Sequence, residues 1–133
     1  MWLSHFHNLH LPTIGTIKTI GVEAYWDPNL ENKTETIDWN TMWPGSTKNF
    51  TLYIRSVSNV KTTLHLYTSN ISPADISEYL NLSSNYDGMP LNPDGMIQLT
   101  LFLSASDDES FIWYLVANDV TAFSIDIHIV AYE

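Results

Sequence analysis

Asp126 and His128 stand two residues apart in the run Phe123-Ser124-Ile125-Asp126-Ile127-His128-Ile129. In an extended strand that spacing puts both side chains on one face. His65 occupies the polar face of another alternating run. With a Ser or Thr brought alongside, a carboxylate, an imidazole and a hydroxyl could support nucleophilic attack of the hydrolase kind. The chain has no Gly-x-Ser-x-Gly elbow to present such a serine. A solvated strand face is therefore the favoured reading, and no catalytic residue is expected.

Metal chemistry is weighed in the same way. Asp107, Asp108, Glu109 and Asp119 could attract calcium, but they lack the alternating spacing that wraps an EF-hand ion. Asp87-Gly88 and Asp94-Gly95 place carboxylates on successive turns, where turn chemistry already accounts for them. His5, His7 and His10 could bind a transition metal, yet no carboxylate lies nearby in sequence. A loosely held terminal arm is the simpler account of residues 1–12. No metal and no cofactor are expected.

Binding chemistry rests on aromatics. Trp43, Tyr53 and Tyr67 are the candidate binding residues, since a ring on a wet strand face can stack on a sugar or anchor a partner. The competing reading is cross-strand packing between neighbouring rings. For Trp39 a core position is favoured. Four acceptor triplets begin at Asn32, Asn49, Asn70 and Asn81, each suited to N-glycosylation in an exported chain.

The elements that must position these residues are strands. Residues 37–56 form a short strand, a turn at Pro44-Gly45, and a longer strand. In the longer strand Phe50, Leu52 and Ile54 face a core, and Asn49, Thr51, Tyr53 and Arg55 face water. Leu64 and Leu66 continue the alternation after a polar break, which predicts a hairpin between these two strands. Earlier, residues 14–26 read as one extended run with Gly15 and Gly21 as bends, as in a first strand that crosses between sheets. Ser72-Pro73-Ala74-Asp75 predicts a short helix capped by Ser72. Residues 82–86 predict a brief strand. Ile97, Leu99, Leu101 and Leu103 form the cleanest alternation in the chain. Residues 106–118 predict a helix with a capping box from Ser106 to Glu109 and an apolar face of Phe111, Ile112, Leu115 and Val116. Phe123, Ile125, Ile127 and Ile129 face inward in the final strand. The count is about seven strands, the expectation for a Greek-key sandwich.

Residues 37–56 also resemble the Ig-like sandwich domains of the PapD, major-sperm-protein and ASH kind. The parts that carry the resemblance are Ile37-Asp38-Trp39-Asn40, Pro44-Gly45-Ser46 and Tyr53-Ile54-Arg55-Ser56. Asn40 stands where that pattern prefers Gly, and Ser56-Val57-Ser58-Asn59 replaces an Asn-x-Gly-Asn turn. The chain is still more similar to small uncharacterised archaeal proteins that carry an Ig-like domain behind a membrane anchor. That likeness spans about residues 15–130, through Val22-Glu23-Ala24-Tyr25-Trp26-Asp27 and Phe123-Ser124-Ile125-Asp126-Ile127. It implies a cell-surface setting. In the resembling proteins the anchor stands at the N-terminal end, and either it has been removed here or this protein lacks one.

Composition bounds the rest. The 133 residues fit one domain, read as an arm over 1–12 and a sandwich over 13–133. There is no cysteine, which removes disulfides, thiolate nucleophiles and Cys-type zinc sites. A formal charge of −10 argues against nucleic acid and against an anionic membrane surface. The longest apolar run, residues 111–117, is far shorter than the ~20 residues that span a bilayer. The expectation is an all-β, Ig-like Greek-key β-sandwich with one or two short helices, acting outside the cell as a non-enzymatic interaction or scaffold module. The alternatives are a filament or assembly subunit joined by strand addition near residues 9–14, and a carbohydrate-binding module. Expected partners are a protein or a surface polysaccharide, or further copies through the arm, without membrane insertion by this chain.

Overall fold

The long first run of alternating residues is broken once, at Gly21, whose φ of +76° lies in the left-handed region. That break divides it into β1 (Leu11–Ile20) and β2 (Val22–Tyr25), and the two halves enter different sheets. A computed structural model describes residues 11–118, 120 and 122–133. The strands that follow are β3 (Thr36–Met42), β4 (Thr47–Ser56), β5 (Thr63–Ser72), β6 (Leu80–Ser84), β7 (Met96–Ala105) and β8 (Phe123–Tyr132). One α-helix, α1 (Glu109–Ala117), joins the last two. Splitting the first run at Gly21 turns the expected seven strands into eight among the described residues.

The first sheet has the order β3-β1-β8-β5, and the second β2-β4-β7-β6. All neighbours are antiparallel except β1 and β8, which run parallel. Inward residues of both sheets meet in one core. Ile37, Trp39, Ile127 and Ile129 come from the first sheet, and Leu52, Ile54, Leu99, Leu101 and Leu103 from the second, all fully buried. Gly15 lies beneath Trp39. A Cβ there would meet the indole Nε1 at 2.8 Å, so the ring packs where only glycine leaves room. Trp39 is a core residue, as its alternation predicts.

Three local expectations need correction. β4 and β5 do not form a hairpin: β4 pairs with β2 and β7, and β5 with β8. Alternation shows which face of a strand is apolar. Two strands facing the same core from opposite sheets have the same pattern as two paired strands. Ser72 does not cap a helix. It ends β5, and residues 74–78 form a 3₁₀ turn with no side-chain cap, burying Ile76. The helix α1 is present, but its cap is Asp108, whose carboxylate accepts from the Ser110 N–H. Ser106 instead accepts from the Asp108 N–H, two residues too early to start the helix. Its buried residues are Phe111 and Leu115, while Val116 is exposed.

Candidate functional site

Register brings the polar residues of β5 and β8 together on the outer face of the first sheet. Tyr67 pairs with His128, and Ser69 with Asp126. The Tyr67 and His128 rings stack with centroids 4.4 Å apart and planes within 2°. His65, two residues along β5, lies 5.3 Å from the Tyr67 ring. Ser69 Oγ is 2.6 Å from His128 Nε2. A hydroxyl thus does reach the imidazole. Asp126, however, accepts from Asn70 Nδ2 at 2.8 Å, and no hydrogen bond joins it to His128. Among the described residues His128 is oriented by the tyrosine ring and the serine and by no carboxylate, which gives a Ser–His pair without the third member that orients a triad.

The candidate binding residues Trp43, Tyr53 and Tyr67 do not form one site. Tyr67 lies on the outer face of the first sheet and Tyr53 on the outer face of the second, opposite Tyr25 and Gln98. With the core between them, a single ring ligand cannot stack on both. Trp43 sits at the β3–β4 turn, closed by Ser46, whose hydroxyl donates to the Trp43 carbonyl and accepts its N–H. The Lys48 ammonium lies 5.2 Å from the Trp43 ring centre, a cation–π contact. For Tyr67 the structure shows the cross-strand packing weighed against ligand stacking, since His128 covers one ring face.

Acceptor asparagines Asn32, Asn49, Asn70 and Asn81 are all exposed. The turn carboxylates are engaged locally: Asp87 accepts from the Met89 N–H, and Asp94 pairs with Arg55 at 3.1 Å. Among the described residues no three His, Asp or Glu side chains gather to hold an ion. His5, His7, His10 and Asp119 lie outside the described residues. No helix among the described residues is long and apolar enough to cross a membrane.

What sequence reading missed lies at the sheet edges. β5 ends the first sheet and β6 ends the second, on the same side of the molecule. A groove of about 420 Å³ runs between them, lined by residues 66–68 and 80–84. Leu66, Leu80 and Leu82 line its floor, packed against the core but only partly buried. Neither strand contains Asp, Glu, Lys or Arg, in a chain that carries twenty such residues. The absence of charge over 63–72 and 80–84 was visible in the sequence and was the available signal, because soluble proteins commonly protect open edges with charge.

On the opposite side the β2 edge is closed. The loop after β2 folds back along its free edge, with Trp26 N–H donating to the Asn32 carbonyl and Thr34 N–H to that of Ala24, both at 2.8 Å. Asp27 accepts the Glu31 and Asn32 N–H groups, which holds the loop in place. Lys33 then reaches Glu23 at 3.0 Å. Hydrogen bonds from Lys33 and then Tyr25 hold the Glu23 carboxyl below its ordinary value, and the same pairing raises Lys33. β3, the other edge strand on that side, carries Asp38, and its pairing with β1 shifts register at Trp39, between Thr13 and Ile14.

Residues 11–14, expected near a donor strand, pair within their own chain, Leu11 with Met42 and Thr13 with both Asn40 and Phe123. They are committed to the first sheet. No protein-family model matches the chain, and no curated protein matches it.

Proposed function

We propose that this chain is an Ig-like interaction module, displayed on the surface of an archaeal-type cell, that engages a protein partner by strand addition at its open β5/β6 side. The observation that carries this reading is the uncharged pair of sheet edges flanking a groove with half-buried leucines. An extended segment laid there would pair with free backbone groups and cover Leu66, Leu80 and Leu82, the combination on which strand-addition recognition depends. The two-sheet core and the first run that changes sheet at Gly21 support the Ig-like assignment. The four exposed acceptor asparagines support a cell-surface setting.

The test is titration of an alternating Thr-Val decapeptide into isotope-labelled chain, followed by NMR. Shifts and slowed amide exchange confined to residues 65–70 and 80–84 are expected. Changes centred on β2 or β3, or none at millimolar peptide, would overturn the assignment. Glycan binding lost in Tyr53→Ala or Tyr67→Ala would favour the carbohydrate reading instead.

A further inference from the structure

We infer that the partner of this edge is a second copy of the same chain, joined β5 to β5 in antiparallel fashion about a two-fold axis at Tyr67. The inference rests on the strand-addition reading and goes beyond it by fixing the occupant and the register.

Backbone direction sets the register. In an antiparallel strand the N–H and C=O of one residue point the same way, and successive residues alternate. Thr62 exchanges hydrogen bonds with Leu91 at 3.0 and 2.7 Å, and the Leu64 N–H donates to Tyr86 Oη at 3.1 Å. Both therefore face away from β8, and so do Leu66 and Thr68. Among the described residues nothing bonds to these two from the open side. Thr62 and Leu64 are already covered, and beyond Ser69 the pairing with β8 shifts register, with Asn70 at a φ of +50°. The free edge is thus short and centred on Tyr67.

Only one two-fold register uses just these groups. Leu66 of each copy pairs with Thr68 of the other, giving four N–H···O=C bonds. Tyr67 then stands opposite Tyr67 in the non-hydrogen-bonded position, where side chains approach most closely. On the outer face His65 meets Ser69, and on the inner face Leu66 meets Thr68, so neither face changes character across the seam. The Tyr67 ring is 41% exposed and already stacked on His128 on the side toward β8. Its partner ring would extend that stack to four rings, His128-Tyr67-Tyr67-His128.

Electrostatics favour this edge over the charged β2 and β3 edges for self-association. Two copies at −10 repel, but charges beyond a Debye length of about 8 Å are largely screened at physiological salt. The seam itself holds no formal charge. The acidic group closest to it in register, Asp126, lies on the next strand and accepts from Asn70. A partner strand suited to an uncharged edge is itself uncharged, and β5 is such a strand.

The experiment is sedimentation equilibrium from micromolar to millimolar chain, with Tyr67→Lys and Tyr67→Glu. The wild type is expected to approach twice 15.2 kDa as concentration rises. Each variant alone places like charges face to face and should weaken association by about tenfold or more. An equimolar mixture of the two should restore it, because Lys then faces Glu, and this rescue also shows that both variants are folded. A dimer indifferent to these changes, or variants without rescue, overturns the inference. A wild type that stays monomeric while the decapeptide still binds at β5 and β6 overturns the second-copy inference alone. Failure of both overturns the strand-addition reading too.

Discussion

The two sides of this molecule handle the same problem in opposite ways. On the β2 side a loop pairs with the free edge, a carboxylate anchors the loop, and an ion pair crosses it. On the β5/β6 side two uncharged strands end their sheets with a groove between them. Both sides belong to one core, so the difference is not one of fold. It lies in whether the backbone groups of the last strand are already used. An edge that is sealed can only stabilise; an edge left open, without charge, is available for recognition at the risk of unwanted pairing.

The largest loss of stability is expected in the core. Leu101→Ala, at a position with no exposure, should cost about 3–4 kcal/mol, because the surrounding strands cannot collapse onto the cavity. Leu82→Ala, beside the groove, should cost about 1 kcal/mol, since less apolar area is lost and water already reaches it. Chemical denaturation of both variants measures the contrast. Equal losses would mean that the groove side is as closed as the rest.

A smaller effect is expected on the sealed side. Asp27→Ala removes the acceptor for the Glu31 and Asn32 N–H groups and should cost about 1 kcal/mol. It should also speed exchange of the Trp26 and Thr34 amides without altering Leu66 or Thr68. A uniform change across both edges would count against separate sealing.

The smallest effect is the pH response. Glu23 is held below its ordinary value of 4.5 by Lys33 and Tyr25. A carboxyl lowered by folding contributes stability above its unfolded value and loses it as pH falls through the folded one. Lys33, raised above 10.5, contributes below that value and loses it as pH rises through its folded one. The sealed side should therefore loosen in acid below about pH 4.5. Glu23→Gln should flatten that limb of the melting profile. The open edge, with no Asp, Glu, Lys or Arg in β5 or β6, should show no matching response. A profile unchanged by Glu23→Gln would remove the ion pair from the account.

Much of the fold was readable because alternation is a local property. The inward positions of β4, β7 and β8, the buried Trp39 and the presence of α1 follow from periods of two and of 3.6 residues. Gly21 was readable as a sheet change because a left-handed residue inside an extended run bends it. Pairing was not readable. Whether β4 joins β5 or crosses the core from it depends on the path of the loop between them, and both answers give the same pattern of Leu and Ile. The Ser69–His128 contact was hidden for the same reason, since it needs the register of β5 against β8. The start of α1 was misplaced by two residues because Ser106 and Asp108 both make capping-type bonds and only one begins the helix.

The most direct test of the open edge is residue-resolved amide exchange at low micromolar and at millimolar concentration. Leu66 and Thr68 are expected to exchange rapidly in the dilute chain and to slow as concentration rises, while Trp26 and Thr34 are protected at both. Protection of Leu66 and Thr68 already present at low micromolar concentration, equal to that of Trp26 and Thr34 and independent of concentration, would contradict it.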